Sequence, residues 1–542
     1  MIRITELALP LDCPPAALRK AILKRLSLDA ADLLDFTVFK RSYDARKKNT
    51  AISFVYIIDL NARNEAAILK RLAGDRNVRP APDTSYHPVG NAPANLSERP
   101  VVIGFGPCGL FAALLLAQMG FKPIVLERGR DVRRRTKDTW ALWRKKTLTP
   151  ESNVQFGEGG AGLFSDGKLY SQIKDPKFYG RKVMHEFVRA GAPEEIMYVN
   201  KPHIGTFRLT GVVSTMREEM IALGGEVRFE SKVTDLLLED GGIAGVVLAN
   251  GTTIRSRHVV MALGHSSRDT FRMLHQRGVF IEPKPFALGF RIEHPQSLID
   301  KARLGKYAGH PDLGAADYKL VHHAKNGRSV YSFCMCPGGT VVAATSEPER
   351  VVTNGMSQYS RNERNANAGI VVGINPAQDF PGGPLAGMEL QERLESYAYE
   401  LGGRDYCAPG QLVGDFVRGV PSTEWGEVEP SYKPGVRLGD LATSLPGYAI
   451  EAIREALPVF GRQIRGFDRD DAVLTGIETR TSSPIRITRD PETLQSLNIR
   501  GLYPAGEGAG YAGGILSAGV DGIKVAEAVA KSMLAAAATA PV

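Results

Sequence analysis

Residues 100–109 read Pro-Val-Val-Ile-Gly-Phe-Gly-Pro-Cys-Gly. A short apolar strand runs into three glycines, Gly104, Gly106 and Gly109, in the order G-x-G-x-x-G. The apolar segment Leu110–Gly120 follows as a buried helix, then Lys122–Glu127 (KPIVLE) as a second buried strand. Each part has a physical reason. The first glycine allows a tight turn, the second lets backbone approach a pyrophosphate, and the third lets helix pack closely on sheet. The helix N-terminus carries free N–H groups and a partial positive charge that suit an anion, and Pro107 and Cys108 just before it belong to the expected cofactor-binding set. Glu127, 23 residues after Gly104, is placed to accept hydrogen bonds from ribose hydroxyls. Arg128 joins it in the expected cofactor-binding set. A bare glycine triplet is weak; strand, turn, helix, strand and acid together predict a dinucleotide site. Cys108 stands where a small residue is needed and is expected to pack rather than react.

Three further segments select FAD. Arg257–Gly264 (RHVVMALG) reads as a strand ending in glycine. It resembles the Ala-Thr-Gly motif of flavoproteins with two dinucleotide-binding motifs, with Leu263 where threonine is common. A strand carrying Lys232 and Val233 precedes it, where backbone meets the adenine in such proteins. Gly501–Gly510 (GLYPAGEGAG) is similar to the closing FAD motif of the same proteins. There Glu507 matches the acid that bonds the ribityl or phosphate region. Gly506, Gly513, Gly514 and Ile515 belong to the same expected set, before a helix over Ala518–Ala530. The loop Asn153–Lys168 holds five glycines in the eleven residues Gly157–Gly167. Gly-rich backbone can come close to a ring or phosphate. Gly159, Gly160, Ala161 and Gly162 are therefore expected at the cofactor, with Asp166 and Lys168 as the polar residues.

Together with LGHSSRDT, SVYSFCMCPGG and ALPVFGRQIRGFDRDDAVLTGIETRTSSPIRI, these motifs make the whole chain resemble the FAD-dependent dehydrogenase family of bacterial flavoproteins. The resemblance implies an FAD-dependent oxidoreductase acting on a small organic substrate. It implies an α/β fold: a Rossmann-like, three-layer ββα FAD-binding domain, an inserted substrate or cap domain, and a small N-terminal α+β domain. Residues 1–80 are the expected N-terminal domain and 81–99, with their prolines, the linker. Residues 100–275 and 495–535 form the expected discontinuous FAD domain, and 276–494 the cap. No second strand–GxGxxG–helix–strand–acid unit is found in the cap. NAD(P)H is expected, if it acts at all, as a transient donor that reduces the flavin directly.

Flavin carries out the redox chemistry, so the protein's share is positioning and charge near the ring. Arg480, in Glu478–Pro484, is the leading candidate for a substrate or flavin contact. Arg291 suits a substrate carboxylate or phosphate, and His294 an acid or base near neutral pH. Strand alternation places Arg291 and Glu293 on one face, with Phe290 and Ile292 on the other. Lys168 is the third catalytic candidate. Cys334 and Cys336 share a strand face: they read either as a redox pair or as two small buried thiols. The loop Gly159–Ser165 lacks cysteine, which argues against a flavin disulfide reductase of the usual layout. His322 and His323 are expected to be exposed.

The chain has 542 residues, 43% of them hydrophobic and 23% charged, as expected of a globular protein of several domains. Five cysteines, an odd and low count, argue against a disulfide framework and for a reducing compartment. No metal-ligand cluster is expected. No apolar run reaches a membrane span, and no basic, then apolar, leader opens the chain, so a cytoplasmic protein is expected. Net charge is +9, and residues 1–99 hold 16 Lys+Arg against 11 Asp+Glu. With Arg46, Lys47 and Lys48 at a hairpin tip, this supports an alternative reading, a flavoprotein that binds or modifies RNA. The plainer reading is a solvated face. The final AAAATAPV reads as a frayed tail.

Overall fold

The structure, a computed structural model, describes residues 1–46, 51–94 and 96–539. Its first unit is a four-stranded antiparallel sheet. The spatial order is Leu33–Asp44, Ser53–Ala62, Ile2–Pro10, Val78–Pro80, with helices Ala16–Leu26 and Glu65–Arg71. Along Ser53–Ala62 burial alternates strictly, so Phe54, Tyr56, Ile58 and Leu60 face the core. Ile22, Leu26 and Ile68 complete that core from the helices. Lys47 and Lys48 lie outside the described residues; Arg46 is ion-paired to Asp44.

The edge strand of this sheet docks on the rest of the chain. Arg41 N donates to Tyr198 O at 2.6 Å, and Asn200 N donates to Arg41 O at 2.9 Å. The segment after it has no regular element but is not free: Ala92 N bonds Met119 O, and Tyr86 packs on Tyr179.

The second unit is a five-stranded parallel sheet. Its order is Leu502–Pro504, Val259–Met261, Val101–Ile103, Ile124–Leu126, Glu226–Arg228. Each strand is three residues long, and alternation along it builds three layers. Val101, Ile103, Ile124, Leu126, Val259 and Met261 pack against the antiparallel strands Val233–Glu239, Gly242–Leu248 and Thr253–Arg255. Val102, Val125 and Val260 point the other way, to the helix Pro107–Gln118. That helix is apolar all round because it is enclosed, with Ile515–Thr539 and Thr206–Ala222 against it. This is an α/β, Rossmann-type arrangement with a ββα layering.

The third unit is a seven-stranded, mostly antiparallel sheet. Its central strands are Ser329–Cys336, Asn365–Ile374, Phe286–Pro295 and Val473–Glu478. Phe286–His294 and Asn365–Val372 are buried without a break, so this sheet is covered on both faces. Arg291, Glu293 and His294 are therefore all enclosed, whereas alternation had suggested an outward pair.

The C-terminal helix continues to Thr539, through the alanines read as a frayed tail, because alanine is the strongest helix former. Ala540–Val542 lie outside the described residues. Among the described residues no helix is long and apolar enough to cross a membrane, and no His/Cys/Asp/Glu group has metal-binding geometry.

Candidate functional site

One cavity of about 960 Å³ runs along the C-terminal ends of the parallel strands and on to the seven-stranded sheet. Ligands bind at that end of such sheets. The helix Pro107–Gln118 opens onto it through Gly106, Pro107 and Cys108, and the helix Ile515–Thr539 through Gly513, Gly514 and Ile515. Two helix N-termini thus offer unpaired N–H groups and partial positive charge to one space.

Glu127 follows the strand Ile124–Leu126, next in the sheet to the strand that feeds the first helix, and is 4% exposed. Its Oε2 accepts from Phe105 N at 2.8 Å, and its Oε1 from Gly129 N at 2.8 Å and Gly157 N at 3.0 Å. One carboxylate therefore ties three glycine-bearing turns around the cavity. Close approach explains two glycines. A Cβ on Gly109 would lie 1.9 Å from Gly104 O, inside the helix–strand contact. Gly160 has φ +60°, and its Cβ would lie 2.8 Å from Gly106 Cα. Cys108 packs against Gly506, and burial pushes its thiol well above the usual range, so it is a packing residue.

Arg128 lines the cavity with both sides of its guanidinium paired, to Glu151 at 2.7 Å and Asp269 at 2.9 Å, over the Phe156 ring. Ala161, Gly162, Val233 and Gly264 line it too. Gly109, Gly159 and Gly506 stand behind the wall and shape it. Glu507 is on the wall, 3.4 Å from His265 Nδ1. The Nε2 of His265 is buried without a partner in the protein, at a residue that lines the cavity.

Three residues that hold the site were not singled out from the sequence. Arg135, 0% exposed, donates to the carbonyls of Asn153 (2.8 Å), Val154 (2.8 Å) and Glu158 (2.6 Å), fixing the Gly-rich loop from inside. Asp521 accepts from Gly506 N at 2.8 Å and pairs with Arg489. His265 is the third; its place directly after Gly264, the end of the strand–glycine motif, was the available signal.

The catalytic candidates divide. Lys168 is on the wall, donates to Met335 O, and lies 3.8 Å from Asp166 Oδ2. Burial works against its charge, but Cys334, Cys336 and Asp166 outweigh it, and its pKa is raised. Asp166 is ion-paired to Arg361. Arg480 also reaches the wall, yet its donors are used internally. It holds Glu395 (2.9 and 2.6 Å), Ser266 (2.9 Å) and Ser346 (2.8 Å). Arg268 grips the same Glu395, and against burial the two arginines hold that carboxyl well below the usual range. Arg480 is thus a bracket between the two sheets. Arg291 is 0% exposed and off the wall, bonded to Cys334 O (2.9 Å), Asn354 (2.8 Å) and Glu478 (3.1 Å). His294 is equally buried, on Phe467 O at 2.6 Å, and burial pushes its pKa down to about 4. Neither Arg291 nor His294 lines the cavity. His322 is half-buried on Glu455 at 2.9 Å; His323 is exposed.

The cavity fits FAD: a helix N-terminus at Gly106 for the pyrophosphate, backed by the close Gly160–Gly106 approach that a Cβ would fill, with the Glu127 carboxylate beside it and a second helix N-terminus with Glu507 further along. The family model described as FAD-dependent protein, C-terminal domain-like, matches residues 285–481. A domain of unknown function matches residues 1–61. An uncharacterised protein of Clostridium beijerinckii is 49% identical over 528 residues, covering 97% of this chain and 98% of its own. Among solved structures, Amadoriase I of Aspergillus fumigatus aligns over 82% of this chain and 88% of its own, with 12% identity and a TM-score of 0.36. L-proline dehydrogenase of P. horikoshii aligns over 80% and 94%, with 14% identity and a TM-score of 0.34. At that distance neither neighbour's activity transfers. The chain belongs to one family with the Clostridium beijerinckii protein, and its residues 285–481 carry the C-terminal domain of FAD-dependent proteins.

Proposed function

We propose that this cavity holds FAD and, at its far end, a small organic substrate between the FAD-binding unit and the seven-stranded sheet. The observation that carries this is continuity: one space joins the helix N-termini at Gly106 and Gly514 to Lys168 and, on the cap side, to Cys334 and Asn354. Gly106, Pro107 and Cys108 would hold the pyrophosphate, Glu127 the adenosine ribose, and Glu507 with Gly513–Ile515 the ribityl and flavin end. When bound, FAD supplies the electron-pair transfer.

The chain's own residues do the rest. His265 and Glu507 stand together on the wall, Nδ1 3.4 Å from the carboxylate, and would flank the ribityl and flavin end of the cofactor. Lys168 sets a fixed positive charge on the wall. Arg480 and Arg268 position Ser266 and the sheet edge through Glu395. Among the described residues one glycine-rich parallel sheet is present, so a nicotinamide donor would have to enter this same cavity.

The test is the visible spectrum of the purified protein, recorded anaerobically before and after NADH or NADPH. A yellow protein that releases one FAD per chain on denaturation is expected. Bleaching by a nicotinamide assigns the donor; persistence assigns reduction to the substrate. A protein that stays colourless after reconstitution with FAD defeats the reading.

A further inference from the structure

The seven-stranded sheet breaks its pairing at one place on the cavity wall. Ser329–Cys336 keeps register with Asn365–Ile374 up to Phe333, opposite Gly369, and regains it at Cys336, opposite Asn367. Cys334 and Met335 therefore face the single residue Ala368, which is a bulge, a device that re-aims side chains beside functional sites. Cys334 has φ +42°, a left-handed backbone that side-chain-bearing residues rarely adopt. Such strain persists only where surroundings enforce it. Here two cations do so: Arg291 donates to Cys334 O at 2.9 Å, and Lys168 to Met335 O.

The result is an ordered pair of thiols. Cys334 lines the cavity, and Cys336, fully buried, stands behind it with its thiol on Cys334 O at 3.3 Å. Gly355 leaves the room: a Cβ there would lie 2.8 Å from Cys336 Sγ and 2.6 Å from Arg291 Nη1. The neighbouring Cys336 thiol, with Lys168 and Arg291 nearby, outweighs burial and holds Cys334 well below the usual thiol range, while Cys334 and burial push Cys336 up. One sulfur is thus set as the thiolate and its neighbour as the proton holder.

We propose that Cys334 and Cys336 are a redox-active dithiol that exchanges an electron pair with FAD in the cavity, through a reversible Cys334–Cys336 disulfide. This rests on the FAD reading above. In the oxidising direction the S–H bond of Cys336 breaks and an S–S bond forms between the two sulfurs. The pair gives up two electrons and one proton, and oxidised FAD accepts all three, so atoms and charge balance. The reverse step opens the disulfide with the same electrons and proton.

The experiment is an anaerobic dithionite titration of the air-oxidised, yellow holoprotein, paired with acid quenching and alkylation to count thiols. Two equivalents of dithionite per FAD are expected, falling to one in Cys334→Ser and in Cys336→Ser. Of the five cysteines, three are expected free before reduction and all five after, with the missing two on the peptide that contains 334 and 336. A yellow wild-type protein that takes one equivalent and shows five free thiols throughout overturns the proposal. If either variant loses its flavin, the wild-type thiol count decides alone. A colourless wild-type protein defeats the FAD reading instead, which keeps the two failures apart.

Discussion

A single methyl group at position 160 tests the cofactor cradle. The Cβ of Gly160→Ala would meet Gly106 Cα at 2.8 Å in a left-handed backbone, so the loop must move off the helix N-terminus. FAD affinity is expected to fall at least about tenfold, roughly 1.4 kcal/mol, in a fluorescence titration of the apoprotein. Gly211→Ala, in open space on the helix Thr206–Ala222, is the control and should leave affinity unchanged. Equal affinity in both variants would sink the cradle. His294 supports a pH prediction. It is buried neutral, with its pKa pushed down to about 4 against 6.5 in the unfolded chain. Below pH 6.5 the unfolded state takes up a proton that the native state refuses until about pH 4. Stability is therefore full above 6.5 and falls as pH drops through that window, by up to about 3 kcal/mol. The urea midpoint of the wild type should fall between pH 6.5 and 4, and His294→Asn, which lacks the imidazole, should lose that part of the slope. At this scale the sequence spoke where partners are local. The glycines and Glu127 act on turns beside them and were legible. Arg135, Asp521 and the Arg361 partner of Asp166 act on residues distant in the chain and left no local trace.

The Gly-rich loop is an element held by one side chain. Its carbonyls at 153, 154, 157 and 158 all converge on Arg135, whose pKa burial pushes down to about 10. Arg135→Met keeps the packing volume but strips those acceptors of their donor. A loss of about 3–5 kcal/mol is expected in chemical denaturation, with weaker FAD retention. Wild-type stability in this variant would show the loop to be self-supporting. The helix starting at Pro107 was readable because composition and glycine spacing agree on it. The cap strands misled for a physical reason. Period-two alternation assigns faces only where one face meets water, and Phe286–Pro295 is enclosed on both. Arg291 and His294, expected as a substrate contact and an acid or base, are both buried and bonded within the sheet region. The bracket that joins the sheets makes a sharper test. Glu395→Gln leaves Arg268 and Arg480 without their shared anion in a buried setting. A loss of about 3–5 kcal/mol is expected, measured by urea unfolding with the flavin bound.

The cavity is assembled by all three units, and the N-terminal one contributes more than bulk. Its edge strand is fastened by the backbone of Arg41 to Tyr198 and Asn200, and Phe39 lies between Arg3 and Arg181. The register of that strand slips between Val38 and Lys40, and Lys40 joins the cavity lining. Lys201 and Lys319 line the cavity too, Lys201 paired to Asp317 at 2.6 Å. Of the basic residues in 1–99, Lys40 lines the cavity, a place that the order of residues in the chain did not reveal. A cluster of one charge sign at a cleft raises the local concentration of anions and is weakened by salt. The flavin's own fluorescence can report this without knowledge of the substrate. Iodide, an anion, and acrylamide, a neutral quencher of similar reach, would be compared on the holoprotein at low ionic strength. Lys40→Glu is expected to cut the iodide quenching constant by about half and leave acrylamide unchanged, with the difference fading at high salt. Equal changes for both quenchers would mean that Lys40 shapes the opening rather than charging it. No change for either would place the route to the flavin away from the N-terminal unit.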